Sequence, residues 1–349
     1  IKEELILNTE LVKITTEDCD EKFNKAVELL QNEEVVGMPT ETVYGLAGNA
    51  FSPLAVSRIF EAKGRPTDNP LIVHISEFSE IYNLVKTVPE TAKKLAEKFW
   101  PGPLTIILPK ADKVPFCTTG NLDTVAVRCP SHEIARKLIK LSGLPLAAPS
   151  ANLSGKPSPT KAKHVFEDLN GRIPFIIDGG DCKEGVESTV ITLAGEKPRL
   201  LRPGNVTLKE LTEVLGEVEV DDAVLNPLKN NETAASPGMK YKHYSPDAEV
   251  FVVEGDMKAV KKKTDELLKE NGDKVCGVLT MSENAYDSAI ILSGGTTNKQ
   301  YAKLLFSNLR EFDRLGVEVV FAEFESRDGY GLAIRNRLYK AAAHKVIKV

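Results

Sequence analysis

The stretch that decides the fold runs from Gly37 to Ile75 and reads GMPTETVYGLAGNAFSPLAVSRIFEAKGRPTDNPLIVHI. The apolar residues Val35–Met38 predict a short buried strand that leads into it. Ser52-Pro53 predicts a helix start, because a capping hydroxyl followed by proline is typical of a helix N-terminus. That helix is predicted to end near Lys63-Gly64, and Leu71–Ile75 predicts a second strand. The polar residues therefore fall on turns, where a rigid scaffold usually presents binding groups.

Each polar residue of this stretch also has a plain structural explanation when it is taken alone. Thr40 and Thr42 suit turn caps, and His74 suits packing within an apolar strand. Lys63 and Arg65 suit the carboxyl end of a helix, where cations favour the dipole. Together, however, the strand and helix ends are predicted to bring these groups to one edge of the sheet. Open α/β sheets bind ligands outside the ends of their strands, so we expect the functional site there.

The composition is that of ordinary globular domains. The 349 residues, of which 42% are hydrophobic and 27% charged, favour two domains. The net charge of −5 argues against bulk nucleic-acid binding, although a local basic groove stays open. No apolar run approaches the roughly 20 residues that span a bilayer, and the polar N-terminus does not resemble a secretory signal. Five scattered cysteines without a CxxC pair favour reduced thiols and a cytoplasmic location.

Strand and helix patterns alternate along the chain in two blocks. Residues 1–216 carry polar groups after successive strands, which predicts an α/β domain with a largely covered sheet. Residues 217–247 are rich in Asn, Asp and Pro and are predicted to form a linker. Within it, Ser236–Pro246 holds two tyrosines, two lysines and a histidine, so we expect this segment to dock rather than act as a plain tether. Residues 248–349 predict a second, smaller α/β domain that ends in a helix over residues 330–345.

Several common catalytic motifs are absent from the sequence. It contains no P-loop, no GxSxG elbow, and no HExxH motif or cysteine cluster. What remains is a set of cations near predicted strand ends, beside loops of hydroxyls and amides: Lys63, Arg65, Arg128 and Arg202. Cations without a nucleophile or a base suit an anionic, phosphate-rich ligand. The residues alone therefore favour an enzyme or a binding protein for an anion of the nucleoside triphosphate kind.

Six short motifs carry a resemblance to a known family. They are Pro39-Thr40-Glu41-Thr42-Val43-Tyr44-Gly45-Leu46, Lys63-Gly64-Arg65-Pro66, Asn69-Pro70-Leu71, Trp100-Pro101-Gly102-Pro103-Leu104-Thr105, Arg128-Cys129-Pro130 and Ala148-Pro149-Ser150-Ala151-Asn152. In this order they resemble the YrdC/YciO-type threonylcarbamoyl-AMP synthases and their Lys-x-Arg … Ser-x-Asn pattern. Ser236–Pro246 resembles the linker of the longer, two-domain members. Gly331–Leu338 resembles the end of their C-terminal domain, except that Arg335 stands where the family typically has Met or Val.

The resemblance implies a fold and a reaction. The fold is a YrdC-like twisted sheet with helices, a linker that docks on the active site, and a smaller Rossmann-like α/β domain. In the reaction, L-threonine, bicarbonate and ATP give threonylcarbamoyl-AMP and pyrophosphate, and the product passes to the machinery that threonylcarbamoylates tRNA. Threonine and bicarbonate first form a carbamate that attacks the α-phosphate, so no enzyme nucleophile is required. Mg²⁺ is expected with ATP, held largely by phosphates and water, and direct contact with tRNA stays open.

The resemblance also implies roles for single residues. The residues implied in catalysis are Lys63, Arg65, Ser150 and Asn152. Those implied around ATP are Lys63, Arg65, Asn69, Thr124, Ser150, Asn152, Ser158, Arg202 and Tyr241, the last of which closes over the site from the linker. Those implied around threonine are Thr40, Thr42, His74, Arg128, Ser188 and the backbone of Ala148. Arg128 suits the threonine carboxylate, as a planar fork for a planar anion. No protein ligand of the metal is implied.

Two other kinds of function stay open at this point. An RNA-binding module of the same fold predicts salt-sensitive RNA binding without release of pyrophosphate, and the acidic net charge counts against it. A regulatory protein that senses nucleotide through its second domain predicts ATP binding by residues 248–349 alone. Only the synthase accounts for the linker and the site motifs together, so the sequence favours it.

Overall fold

The computed structural model describes residues 8–224, 226, 243–282, 285–325 and 329–349. These residues form an eleven-stranded sheet and a five-stranded sheet. Most of the predicted linker, and Tyr241 with it, lies outside the described residues. The division at residues 216 and 247 stays a prediction, whereas the predicted α/β class is confirmed in both sheets. No described helix is both long and apolar enough to cross a membrane.

The first sheet is mixed. Its strands are β1 (Glu10–Lys13), β2 (Val36–Met38), β3 (Gly45–Asn49), β4 (Ile72–His74), β5 (Leu104–Pro109), β6 (Thr124–Arg128), β7 (Leu146–Ala147), β8 (Phe175–Asp178), β9 (Thr189–Thr192), β10 (Arg199–Arg202) and β11 (Glu219–Val220). They lie side by side in the order β1-β8-β2-β3-β7-β4-β6-β5-β9-β10-β11. Strands β4 and β6 are parallel, whereas β7 runs antiparallel to both β3 and β4. Strands therefore enter the middle of the sheet from both directions.

Helices cover this sheet. They are α1 (Asn24–Gln31), α2 (Pro53–Lys63), α3 (Glu90–Phe99), α4 (Phe116–Thr119), α5 (Glu133–Ser142), α6 (Ala162–Leu169) and α7 (Leu208–Leu215), with 3₁₀ turns at Asp20–Phe23, Phe78–Asn83 and Asp222–Val224. The predicted bounds of α2 are confirmed. The Ser52 hydroxyl accepts the Ala55 N–H, and Gly64 ends the helix in a left-handed conformation with φ of 60°. The helix thereby delivers Lys63 and Arg65 to the loop before β4.

Strand β3 is an element that the sequence patterns did not predict. Two of its glycines allow close packing of neighbours that any side chain would push away. A Cβ on Gly45 would lie 3.1 Å from the Ala148 Cβ, and one on Gly48 would lie 3.2 Å from Ile59. Glycine is unfavourable in strands on local grounds, so tertiary packing overrides the local preference here.

The second sheet is parallel throughout its described strands. These are β12 (Glu249–Glu254), β13 (Cys276–Thr280), β14 (Ile290–Ser293), β15 (Val319–Phe324) and β16 (Val346–Lys348), in the order β14-β13-β15-β12-β16. Its helices are α8 (Met257–Glu270), α9 (Asn298–Arg314) and α10 (Gly331–Ala341). The predicted helix over residues 330–345 is too long, because Ala343 and His344 adopt φ values of 47° and 62° and end it. Strand β16 follows, and neither it nor β14 was predicted.

The second domain packs directly on the first. Its apolar core includes Val43 and Val186, which belong to the first domain, and Tyr244 from the end of the predicted linker. Gly185 lies against helix α9, where a Cβ would be 2.3 Å from the Lys303 carbonyl oxygen. The two domains therefore share a core beside the residues that the sequence assigns to the site.

Candidate active site

A small cavity of about 60 Å³ lies on one face of the first sheet, beneath the second domain. It is lined by many of the residues that the sequence predicts for the site: Thr40, Thr42, Arg65, His74, Arg128, Ala148, Ser150, Ser188 and Arg202. Every residue that is predicted to surround a bound threonine molecule is in this set. The cavity is therefore the natural candidate for the active site.

The strands bring these residues together over a face of the sheet. In the register of β4 and β6, His74 lies opposite Arg128. Because positions i and i+2 of a strand point the same way, Ile72 and His74 present their side chains to one face, beside Arg128. The sequence analysis expected the site at one edge of the sheet, and its position in the structure differs from that expectation. Since β7 runs against its neighbours, polar groups that follow different strands meet over the face instead.

At one end of the cavity, Arg128 is engaged by a carboxylate that the sequence analysis did not assign. Its Nη2 lies 2.6 Å from Glu41 Oε1, and both side chains are buried. Its Nη1 donates to the Thr42 hydroxyl at 2.9 Å, and Nε donates to the Gly102 carbonyl at 3.3 Å. Burial opposes the ionisation of Glu41, but Arg128 more than offsets it and holds the pKa of that carboxyl below its ordinary value. The acid between two threonines was the signal that could have identified Glu41.

His74 is neutral beside this ion pair. Burial, followed by the charge of Arg128, lowers its pKa to about 3. Its Nδ1 lies 3.2 Å from the Ile72 carbonyl oxygen, which can only accept, so we assign the proton to Nδ1. Nε2 is then an acceptor. The neighbouring hydroxyls of Thr40 and Thr42 lie 3.0 Å apart and complete this end of the cavity.

Lys63 lies behind the cavity wall rather than in it. Its ammonium is buried and donates to the backbone carbonyls of Ser150 and Asn152, the latter at 2.7 Å. Burial and the neighbouring Arg65 lower its pKa well below the ordinary value. The Ser150 hydroxyl donates to Asn152 Oδ1 at 2.5 Å. Lys63 therefore holds the predicted serine–asparagine loop in shape, a contact that the sequence did not indicate.

At the other end, Arg202 and Ser188 are tied together. Arg202 Nε donates to the Ser188 carbonyl and Nη2 to its hydroxyl, both at 3.1 Å. The Ser188 hydroxyl also lies 2.8 Å from that of Thr105. Glu187, another cavity residue that the sequence missed, accepts a hydrogen bond from the Ser158 hydroxyl at 2.5 Å. Ser158 and Arg202, both predicted to bind the nucleotide, therefore make hydrogen bonds to the adjacent residues Glu187 and Ser188.

Some predicted residues do not line the cavity. Those among the described residues are Lys63, Asn69, Thr124, Asn152 and Ser158. Thr124 begins strand β6, on the same face as Arg128 but roughly 13 Å further along it at the usual rise per residue. There it borders a separate hollow with Ile107 and Leu201. Tyr241 lies outside the described residues. The predicted roles of all the site residues stay predictions.

The end of the linker closes the cavity from above. His243 and Tyr244 both line it, although only Tyr241 had been predicted from this segment. The Tyr244 ring lies 5.0 Å from that of Phe306 in α9, between ring centres, and Ser245 N–H donates to the Gly155 carbonyl at 2.9 Å. Burial and nearby cations, Arg65 foremost, hold the pKa of His243 well below its ordinary value.

Metal-ligating residues are sparse in this part of the molecule. Among the described residues, no group of three or more His, Cys, Asp or Glu side chains is arranged to hold a metal ion. Glu187, which lines the cavity, and Glu41, which contacts the lining residue Arg128, each lie against an arginine instead.

Comparison with known proteins identifies both halves of the chain. Residues 28–204 match the Sua5/YciO/YrdC family described as "Telomere recombination", and residues 206–343 match the "Threonylcarbamoyl-AMP synthase, C-terminal domain". A threonylcarbamoyl-AMP synthase of Pyrococcus abyssi is 53% identical over 331 residues, which cover 94% of this chain and 96% of the relative. That of Bacillus subtilis is 48% identical over 334 residues, covering 94% and 95%. The crystal structure of P. abyssi Sua5 complexed with L-threonine superposes with a TM-score of 0.94 at 50% identity, covering 97% of this chain and 99% of that one.

The fold and the cavity define a two-domain α/β protein with a cation-lined site on the face of a mixed sheet. The chain belongs to the Sua5-type family of threonylcarbamoyl-AMP synthases, in its two-domain form. It is thus an enzyme of the nucleotidyltransferase class, and the predicted activity is confirmed at this level.

Proposed function

We propose that this chain joins L-threonine, bicarbonate and ATP into threonylcarbamoyl-AMP, with release of pyrophosphate. The observation that carries the proposal is the excess of positive charge at the cavity, where Arg65, Arg128 and Arg202 converge. Burial is the largest cause that lowers the pKa values of Lys63, His243 and Lys340, the last of them to about 7. Neighbouring arginines are the next cause for each of the three. Such a site is short of negative charge, which a triphosphate and a carboxylate supply.

Threonine belongs at the Arg128 end. Arg128 would bind its carboxylate, with Glu41 fixing the plane of the guanidinium. The hydroxyls of Thr40 and Thr42, the imidazole of His74, the backbone of Ala148 and the hydroxyl of Ser188 would surround the rest of the molecule. The support for this placement is that all six predicted residues line the same small cavity. L-threonine in the P. abyssi relative, which shares the fold over almost its whole length, is consistent with it.

The nucleotide belongs on the sheet face that runs away from Arg128. Arg65 and Arg202 would meet the phosphates, and Lys63 would hold Ser150 and Asn152 in place. A small apolar cluster that includes Ile72, Ile107 and Ala126 lies between Arg128 and Thr124. We assign the adenine to this cluster and the far end of the nucleotide to Thr124. Asn69, Ser158 and Tyr241 would complete the nucleotide site.

In the reaction, a carbamate oxygen of N-carboxythreonine forms a bond to the α-phosphorus of ATP. The bond to the bridging oxygen breaks, and pyrophosphate leaves with that electron pair. The protein supplies position and positive charge, the main contributions of a protein to phosphoryl transfer. Mg²⁺ would enter with ATP, because a Mg²⁺ ion usually keeps phosphate and water ligands and the described residues offer it no carboxylate cluster.

Substrate entry requires the linker to move. A cavity of about 60 Å³ holds about two water molecules, whereas sites for molecules of this size usually measure some 300 Å³ or more. His243 and Tyr244 would have to swing away for ATP to enter and return afterwards to exclude water from a labile carbamate. The product would then pass to the tRNA-modifying machinery in the cytoplasm.

The test is pyrophosphate release from ATP, measured with and without threonine and bicarbonate. We expect release only when both are present, and much less when serine replaces threonine. ATP turnover that is indifferent to threonine would contradict the proposal and would withdraw the threonine site with it. RNA binding without any pyrophosphate release would instead support the alternative of a binding module.

A further inference from the structure

A buried arginine of the second domain reaches the wall of the cavity. Arg337, in helix α10, has no exposed surface, and its Nε lies 3.0 Å from Glu187 Oε2 in the first domain. Its Nη1 donates to the Pro203 carbonyl at 2.7 Å, and Nη2 donates to the Glu187 carbonyl at 3.3 Å. All three guanidinium nitrogens therefore contact the segments that flank strands β9 and β10.

The partner of this arginine is part of the site. Glu187 lines the cavity, and its other carboxylate oxygen accepts the Ser158 hydroxyl. The next residue, Ser188, is held by Arg202 through both its carbonyl and its hydroxyl. A displacement of Glu187 would therefore move Ser158 and disturb the support of Arg202 at once.

The charge of Glu187 depends on the second domain. Burial disfavours its ionised form, but Arg337, then Arg202, more than offset this and hold its pKa below the ordinary value. The other charged and titratable groups around it are Tyr244 from the linker and Lys340 from α10. A buried carboxylate that loses its ion-pair partner becomes protonated, or the structure around it rearranges to bring it to another cation.

We propose that Arg337 is a positioning residue of the synthase: by compensating the charge of Glu187 it fixes Ser158 and, through the Ser188 carbonyl that holds it, Arg202 for the nucleotide. The inference rests on the proposed function and adds what the second domain contributes to it. Without the second domain, Glu187 keeps only the smaller offset from Arg202 of its own domain. The second domain is thus a component of the active site rather than an appendage to it.

The experiment compares Arg337→Met with the double variant Arg337→Met/Glu187→Gln in the full chain. Pyrophosphate release, dependent on threonine, is measured against ATP concentration from pH 4 to pH 9, because the pKa of Glu187 in the wild type lies below its ordinary value. Arg335→Met is the matched control, because Arg335 lies on the same helix but pairs with Glu254. Wild-type and control activity first establish the synthase, so a failure of the proposed function is recognised separately.

We expect Arg337→Met to lower kcat/KM for ATP by roughly ten- to a hundredfold at pH 7, with less effect on kcat/KM for threonine. In the pH profile of kcat/KM for this variant, the acid limb, where activity falls as the pH is lowered, should move upward by about one pH unit or more. The reason is that Glu187 now protonates nearer neutrality. The double variant should bring the limb back, since glutamine accepts the Ser158 hydrogen bond without titrating. Lys340 loses its proton as the pH rises, so it acts on the basic limb and cannot imitate this change.

The inference is overturned if the acid limb of Arg337→Met stays where the wild type and Arg335→Met have it. A purely structural ion pair would lower the yield and the Tm without moving that limb. If Arg337→Met does not fold, Arg337→Lys and the double variant decide. Arg337→Lys keeps the positive charge, so it should keep the acid limb of the wild type at a reduced kcat/KM. A double variant that is no more active than the unfolded single variant Arg337→Met contradicts the inference.

Discussion

The two ends of the cavity are each built around one buried arginine–carboxylate pair, yet the pairs differ in origin. At the threonine end, Glu41 and Arg128 both belong to the first sheet and its turns. At the nucleotide end, Glu187 comes from the first domain and Arg337 from the second. In both pairs burial raises the pKa of the carboxyl group, and the neighbouring arginine more than offsets this, so that both pKa values lie below the ordinary value. Under the proposed roles, the first domain organises threonine by itself, whereas its hold on the nucleotide depends on the second domain.

The largest effect should follow from breaking the self-contained pair with Arg128→Met. Breaking a buried pair from one side costs about 3–5 kcal/mol, because the remaining charge is uncompensated. We expect a loss of threonine binding, measured by calorimetry, together with a lower Tm. Arg128→Met/Glu41→Gln should recover the Tm but not the binding. A single variant that binds threonine normally would remove Arg128 from the threonine site.

Arg65→Ala tests a cation that lines the cavity outside the two ion pairs, where its Nη2 makes a long hydrogen bond of 3.3 Å to the Pro70 carbonyl. Removing one preorganised donor typically costs about 2–4 kcal/mol of transition-state stabilisation. We expect kcat/KM for ATP to fall accordingly while threonine binding and the Tm stay close to wild type. Lys63→Ala should lose activity to a similar extent but also lower the Tm, because Lys63 holds the Ser150 and Asn152 carbonyls. Near-normal turnover in either variant would exclude that residue from the site.

A third, smaller effect concerns another ion pair between the domains. Arg310 of α9 contacts Asp168 at 2.8 Å and the Pro157 carbonyl at 2.6 Å. Asp168 in turn accepts the Leu153 N–H at 3.1 Å. Arg310→Met should cost about 1.5–3 kcal/mol of unfolding free energy, the usual range for hydrogen bonds that involve charged groups.

This variant separates docking from charge compensation. It loosens the domain contact and the loop around Leu153 but leaves Glu187 paired with Arg337. We therefore expect a modest loss of kcat/KM for ATP without any movement of the acid limb. A limb that moves as in Arg337→Met would show that domain docking, rather than the charge of Arg337, sets the nucleotide end.

The smallest effect is a proton uptake on ATP binding. Burial, then Arg337 and Arg202, lower the pKa of Lys340 to about 7. A bound triphosphate should raise it, so the protein takes up a fraction of a proton near pH 8. Calorimetry in buffers of different ionisation enthalpy measures this uptake, and Lys340→Met should abolish it. From pH 7 to pH 9 the affinity should fall by at most about tenfold, the value of one pKa unit. Equal uptake in wild type and variant would assign the proton elsewhere.

Much of the first domain could be predicted because its signals are local. The start and end of α2 follow from Ser52, Pro53 and Gly64, since capping and left-handed conformations depend on the residues themselves. Strand β3 could not be predicted in this way, because its glycines serve packing against Ala148 and Ile59. The end of α10 was likewise misplaced, since Ala343, which adopts a φ of 47°, is not a residue that favours positive φ.

The sequence by itself determined the class of protein, the order of its motifs and many of the residues that line the cavity, because those residues lie in short stretches with recognisable turn and strand chemistry. Only the tertiary structure decided which charges meet. Glu41 and Arg128 are 87 positions apart, and Glu187 and Arg337 are 150 apart. Ion pairing depends on distance and burial, and neither is written in a local pattern. That is why the contact of Arg337 with Glu187 across the two domains becomes visible only in the folded chain.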